Sequence, residues 1–231
     1  MPLNFFITGM PKCGKTTLLR KLIDDFKSRG LKVGGVISPE ERHHGTRSGF
    51  YVKDIDSGRI GVLAAVDADG PKVSKYHVDV HSFESVALPA LADFESCDVI
   101  VLDEIGWMEL KSMRFADIID RLLESDTPLV ASLHTGLVDK YGPYGQVYEL
   151  TDINHEAIYA ELLGRVKAIV KKPMKKVEKK AEKKKAAPLK KEEKKAVPLK
   201  KPGKKTAVPV KLEEKPKKKG IFNHVKKFIG V

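Results

Sequence analysis

Gly9, Gly14, Lys15 and Thr16 in "GMPKCGKTT" satisfy G-x-x-x-x-G-K-[ST]. Glycines at this spacing let the backbone wrap so that successive N–H groups point at phosphate oxygens, and a helix starting behind them aims its positive end at the same place. Lys15 is then expected to reach the β and γ phosphates of a nucleoside triphosphate, and the Thr16 hydroxyl to coordinate Mg²⁺. The whole loop, Gly9, Met10, Pro11, Lys12, Cys13, Gly14, Lys15, Thr16 and Thr17, is assigned to the phosphates. With Gly at about 7% of residues, four such positions match by chance in roughly 1% of chains this long, before a strand in front and a helix behind are required.

Such a loop needs a carboxylate partner, and "VIVLDEIGWMEL" offers one at the end of an apolar run. Asp103 is placed to hold the Mg²⁺ water shell. Glu104 is placed to orient or deprotonate an attacking water, provided its carboxylate comes within about 3 Å; the plainer alternative is a strand end with ordinary solvated carboxylates. Ile105 and Gly106 complete "DEIG", a D-x-x-G in which the glycine N–H would meet the γ-phosphate. A dedicated GTP switch is not expected, because Asn4, Asn154 and Asn223 are never followed by Lys and so form no Asn-Lys-x-Asp.

Other reactive side chains leave alternatives open. Arg42 and Arg47 flank "HHGT" and are candidates either for charge stabilisation on the transferring phosphoryl group or for a basic loop of no catalytic use. Adjacent His43 and His44 point in different directions and have no third ligand nearby in sequence, so no metal is assigned to them. His134, after "LVASL", falls where α/β folds place groups facing the γ-phosphate, or else packs. Cys13 beside Lys15 at a helix start suits a thiolate open to oxidation, or a tolerated small side chain.

These residues must be positioned by alternating strands and helices. "LNFFIT" reads as a buried strand. Leu18, Leu19, Leu22, Ile23 and Phe26 recur at helical spacing, giving a helix over Lys15 to Ser28 that Gly30 ends, and "KVGGVIS" closes a βαβ unit. Residues 47 to 66 alternate around "DSG" as a hairpin, an antiparallel addition. "YHVDV" is a short strand, and "SFESVALPALADF" a helix with Ser82 and Ser85 at its start. "DVIVLDE" is a central strand, "MRFADIIDRLLES" a helix, "PLVASLH" a buried strand, and "NHEAIYAELLGRVKAIVK" a helix capped by Asn154. A three-layer α/β sheet, mostly parallel, follows, with ligands at the carboxyl ends of its strands.

Charge divides the chain. Of 43 basic and 31 acidic residues, 24 Lys and 6 Glu fall within residues 171–231, leaving 19 basic and 25 acidic in 1–170. The excess of lysine therefore belongs to the end of the chain. Residues 171–219 are too charged and too poor in apolar groups to offset chain entropy and are expected to be disordered. "AAPLK", "AVPLK" and "AVPVK" repeat loosely there, so the tail is expected either to contact nucleic acid or an anionic surface without sequence preference or to act as a solvated spacer. Within "GIFNHVKKFIGV", residues 220–231, Ile221, Phe222, Val225, Phe228 and Ile229 share one helical face, which suits docking to an anionic membrane or a protein partner. Cys13 and Cys97 show no metal or disulfide spacing, no leader precedes "LNFFIT", and no apolar run approaches about 20 residues; a cytoplasmic protein is expected.

"FFITGMPKCGKTTLLRKL", "GGVISPEERHHGTRSGFYVKDIDSG", "KYHVDVHSFESVALPAL" and "VIVLDEIGWMEL" stand in an order and spacing that resembles the small P-loop nucleoside-triphosphatases first described from thermophiles, also called cancer-related nucleoside-triphosphatases. The resemblance covers about residues 1 to 165. It implies a RecA-like sheet and Mg²⁺-dependent hydrolysis of ATP, GTP, CTP and UTP to diphosphate and phosphate with little base selectivity. It also implies that Gly9 to Thr16 bind the phosphates while Asp103 and Glu104 serve metal and water. Trp107 stands where that family commonly has Lys. Two other readings remain: a kinase passing the γ-phosphate to a small molecule or nucleic-acid end, and a nucleotide-binding adaptor without turnover. "ASLHTGLVDKYGPYGQVYEL" carries no arginine lid, although its glycines and tyrosines suit a loop over the nucleotide.

Overall fold

The computed structural model describes residues 3–43 and 46–170. The readings made for 171–219 and 220–231 lie outside these residues. The chain forms β1 (Asn4–Thr8), α1 (Lys15–Ser28), β2 (Val33–Ile37), β3 (Glu40–His43), β4 (Thr46–Asp54), β5 (Ile60–Ala65), β6 (Lys72–Val73), β7 (Tyr76–Val78) and α2 (Val80–Leu91). It continues with β8 (Val99–Ile105), α3 (Met113–Leu123), β9 (Leu129–Leu133), α4 (Val138–Tyr141), β10 (Gln146–Glu149) and α5 (His155–Ile169). The strands join in one ten-stranded sheet, in the order β10-β1-β9-β8-β2-β4-β5-β7-β6, with β3 on β4.

From β10 to β2 the strands run parallel. Beyond β2 every pairing is antiparallel. The expected hairpin, β4 and β5, is thus the start of a wider wing that also takes in β3, β6 and β7.

Alternation along the parallel strands decides the layers. Phe6 in β1, with Ile100 and Leu102 in β8, packs with Phe83 of α2 and Phe115 of α3. Phe5 and Ile7, with Val99 and Val101, packs with Leu19, Leu22 and Phe26 of α1 and Leu162 of α5. Strands buried on both faces have no polar face to show, which is why they read as continuous apolar runs. No helix among the described residues is long and apolar enough to cross a membrane.

Two helix starts differ from expectation. α2 begins at Val80, two residues ahead of the expected start, with Asp79 as its cap accepting the Ser82 N–H at 2.8 Å. Ser82 instead accepts the Val62 N–H at 2.8 Å and ties α2 to β5. Asn154 precedes α5 without capping it; its Oδ1 accepts from Thr151 N at 2.8 Å and its Nδ2 donates to Glu149 O at 2.9 Å, closing the turn that feeds the helix. The segment after β9 is also not the loop the tyrosines suggested. It folds as α4 and β10, and Tyr141 is buried in the core.

Candidate active site

β1 delivers the chain into the loop at Gly9, whose φ of 141° belongs to glycine and where a Cβ would lie 2.5 Å from Leu150 O. Lys12 and Gly14 follow with φ of 70° and 95°, the alternation that turns successive N–H groups to one side as an anion nest. No side chain caps α1, so its first-turn N–H groups face the loop. Lys15 Nζ donates to Gly9 O at 2.9 Å and Met10 O at 3.3 Å, which holds its charge over the loop.

Asp103 stands on β8 and is buried. Its Oδ1 accepts from Ser132 Oγ of β9 at 2.7 Å, while Oδ2 is buried with no partner. Burial raises its pKa, opposed by the Ser132 hydrogen bond, the nearby Thr16 hydroxyl and the charges of Arg20 and Lys15. A buried carboxylate oxygen near the Thr16 hydroxyl, with no hydrogen bond of its own, fits a Mg²⁺ ligand.

Glu104, half-buried, has its carboxyl pushed up to about 7, by burial first and by the Asp103 charge second, with Lys15 opposing. Glu109, from the 3-10 turn Glu109–Lys111, is fully enclosed. Burial first and the Glu104 charge second drive its pKa well above the ordinary carboxylate value, with Ser38 beside it. Gly106 separates the two acids: a Cβ there would lie 2.7 Å from Glu104 Oε1 and 2.8 Å from Glu109 Oε2. Glycine at this position lets both carboxyls close in on the end of β8.

One cavity of about 820 Å³ gathers Gly9, Pro11, Lys12, Gly14, Lys15, Thr16, Thr17, Asp103, Glu104, Arg47 and His134. Four of the assigned residues lie elsewhere. Met10 is 73% exposed on the loop's outer side and offers only its carbonyl. Cys13 turns into the core under the loop, 3.0 Å from a Cβ placed on Gly9, which denies its thiol the solvent access that oxidation needs. Ile105 is buried in the α2–α3 core, and Gly106 lies against the Glu104 and Glu109 carboxyls.

His134 reaches the cavity from the end of β9, accepts the Gly136 N–H at 3.1 Å and meets Trp107 edge-on at 6.1 Å. Its pKa is lowered by burial and by the Lys15 charge. Arg47 lines the same cavity but is ion-paired with Glu40, which also holds Arg42 at 2.6 Å. Sequence reasoning assigned no role to Ser132, Glu109 or Arg20. Ser132 is invisible without the β8–β9 pairing; Glu109 had a signal, a third acid in "DEIGWME" beside an apolar run.

A family model described as NTPase matches residues 4–163. The chain is 42% identical over 169 residues to a nucleoside-triphosphatase THEP1 of Pyrococcus abyssi, covering 73% of this chain and 94% of that protein. It is 39% identical over 170 residues to the one of Methanocaldococcus jannaschii, covering 73% and 100%. Among solved structures, THEP1 of Aquifex aeolicus superposes with a TM-score of 0.61 at 26% identity, over 71% of this chain and 98% of that one. A human cancer-related nucleoside triphosphatase superposes at 0.60 and 31% identity, over 71% and 97%. With the phosphate loop, the β8 carboxylates and these relatives in hand, the chain is a member of the NTPase family.

Proposed function

We propose that this protein hydrolyses nucleoside triphosphates to diphosphate and phosphate, with Mg²⁺ and with low base selectivity. The carrying observation is the Glu104 carboxyl, set next to Asp103 in the loop's own cavity and pushed up to about 7. A base of that strength takes a proton from water more readily than an ordinary carboxylate does near neutral pH. The relatives' name, nucleoside-triphosphatase, specifies no base and supports the same reading.

Thr16 and Asp103 would hold the Mg²⁺, which supplies charge neutralisation on the β and γ phosphates. The chain's own groups do the rest. The Gly9–Thr16 backbone and Lys15 bind the phosphate oxygens, Ser132 fixes Asp103, and Glu104 orients water and accepts its proton. His134, from the end of β9, closes the γ-phosphate side. Arg47 is engaged by Glu40 and is not counted among the groups at the phosphate.

Phosphate release from ATP, GTP, CTP and UTP with Mg²⁺ and no added acceptor tests this. Glu104→Gln should bind MgATP as the parent does and lose about 10²–10⁴-fold in release; unchanged turnover would remove Glu104 from the mechanism. Lys15→Ala should lose both binding and release. An adaptor without turnover would bind nucleotide and be indifferent to Glu104→Gln.

A further inference from the structure

β8 and β9 run side by side and end together, where Ile105 O accepts the His134 N–H at 3.1 Å. That bond brings the residues just beyond, Trp107 and His134, to one part of the cavity wall. Their rings meet edge to face at 6.1 Å, within the range over which aromatic pairs attract. Gly136 packs against both: a Cβ there would lie 3.4 Å from His134 Nδ1 and 3.6 Å from Trp107 Cζ2. Trp107 keeps 47% of its surface exposed, so it belongs to the cavity wall and not to the core.

The two nitrogens of His134 differ in role. Nδ1 accepts the Gly136 N–H at 3.1 Å, as the cap of the 3-10 turn Thr135–Leu137. An accepting nitrogen carries no proton, so the neutral ring carries its proton on Nε2. Burial first and the Lys15 charge second hold the His134 pKa below its ordinary value, which favours that neutral ring at pH 7. Nε2 makes no hydrogen bond among the described residues, and the ring lines the cavity. The Lys15 charge also acts on Glu104, after burial and Asp103. His134 and Glu104 thus both stand within electrostatic reach of the lysine that serves the β and γ phosphates, beside the terminal phosphates and not the nucleoside.

We propose, on the footing of the hydrolase reading, that these two rings read the γ-phosphate: His134 Nε2–H donates a hydrogen bond to a γ-phosphoryl oxygen, and Trp107 is the positioning residue that holds the imidazole for it. A neutral donor fixed before the substrate arrives needs no reorganisation during transfer. A diphosphate offers no oxygen at that place, so the pair distinguishes the triphosphate from its product.

Trp107 is the one tryptophan of the chain, so the intrinsic fluorescence of the full chain reports on the pair. With Mg²⁺, the β,γ-imido analogue of ATP should change the emission and ADP should not, and His134→Ala should erase the difference. Equal responses to the two ligands, no response to either, or a difference that survives His134→Ala overturns the proposal. In phosphate release, His134→Ala should lower kcat about 10²-fold with KM nearly unchanged. His134→Gln sets an amide N–H near the Nε2 position, whereas His134→Asn sets an acceptor near Nδ1 for Gly136. The Gln variant should therefore keep more of the rate than the Asn variant; the reverse order would make the histidine a turn cap and overturn the donor. Trp107→Ala should lower kcat about tenfold, with most of it restored in Trp107→Phe; an unchanged rate in Trp107→Ala overturns the positioning role. No phosphate release by the parent from any nucleotide sinks the hydrolase reading alone, because the fluorescence needs only binding.

Discussion

Asp103 takes its orientation from the hydrogen bond of Ser132 Oγ at 2.7 Å, in a buried site where the Thr16 hydroxyl and the charges of Arg20 and Lys15 also act on it. Ser132→Ala should leave Oδ1 as a second unsatisfied buried acceptor and loosen the carboxylate. The Mg²⁺ concentration needed for half-maximal phosphate release should rise about 10–100-fold, as for other groups that orient metal ligands, while the fold survives. Glu109 acts on stability instead. Its carboxyl holds a proton in the folded state at pH values where the unfolded chain, at about 4.5, has released it. The folded state is therefore favoured below about pH 4.5, and that advantage is lost as pH rises through the raised value. Glu109→Gln keeps the shape and cannot ionise. Its Tm should match the parent's near pH 4.5 and exceed it near pH 9; a parallel decline in both proteins would mean that Glu109 is not enclosed as described.

Among the elements, β2 is the one most dependent on a single residue. Gly35 has φ 108°, and a Cβ there would lie 2.0 Å from Val101 O in the adjoining strand. Its own carbonyl accepts the Ile55 N–H at 3.0 Å, in the turn between β4 and β5. Gly35→Ala should cost about 3 kcal/mol or more in urea unfolding, combining a disfavoured backbone with a backbone clash. "KVGGVIS" was legible as a strand from its apolar residues, and α1 was legible to its ends because its periodicity and the loop before it are local. The wing was less so. β6 has two residues and β3 four, and such short strands exist through their partners, not through their own pattern. Asn154 shows the same limit at a helix start: its residue type suits a cap, but the Thr151 N–H and the Glu149 carbonyl were closer at hand.

At the scale of the molecule, both core clusters close within the described residues, one on each face of the parallel strands. Ending the chain at Val170 should leave basal phosphate release unchanged within about twofold, since both core clusters and the residues assigned to the site lie within residues 3–170. A lost basal rate would show that residues 171–231 complete the site. The amino-acid order by itself determined what depends on neighbours in sequence: the phosphate loop, the βαβ unit behind it, the Asp103–Glu104 strand end and the charge division near residue 170. It also carried the family resemblance, which the comparisons support. Tertiary structure decided what depends on strand order and register: Ser132 beside Asp103, Glu109 against Glu104, Arg47 taken up by Glu40, and Cys13 turned inward. It also joined the loop to the antiparallel wing in one cavity. Those contacts link residues far apart in the chain, and a periodic pattern specifies which face of a strand is buried without specifying which strand lies beside it.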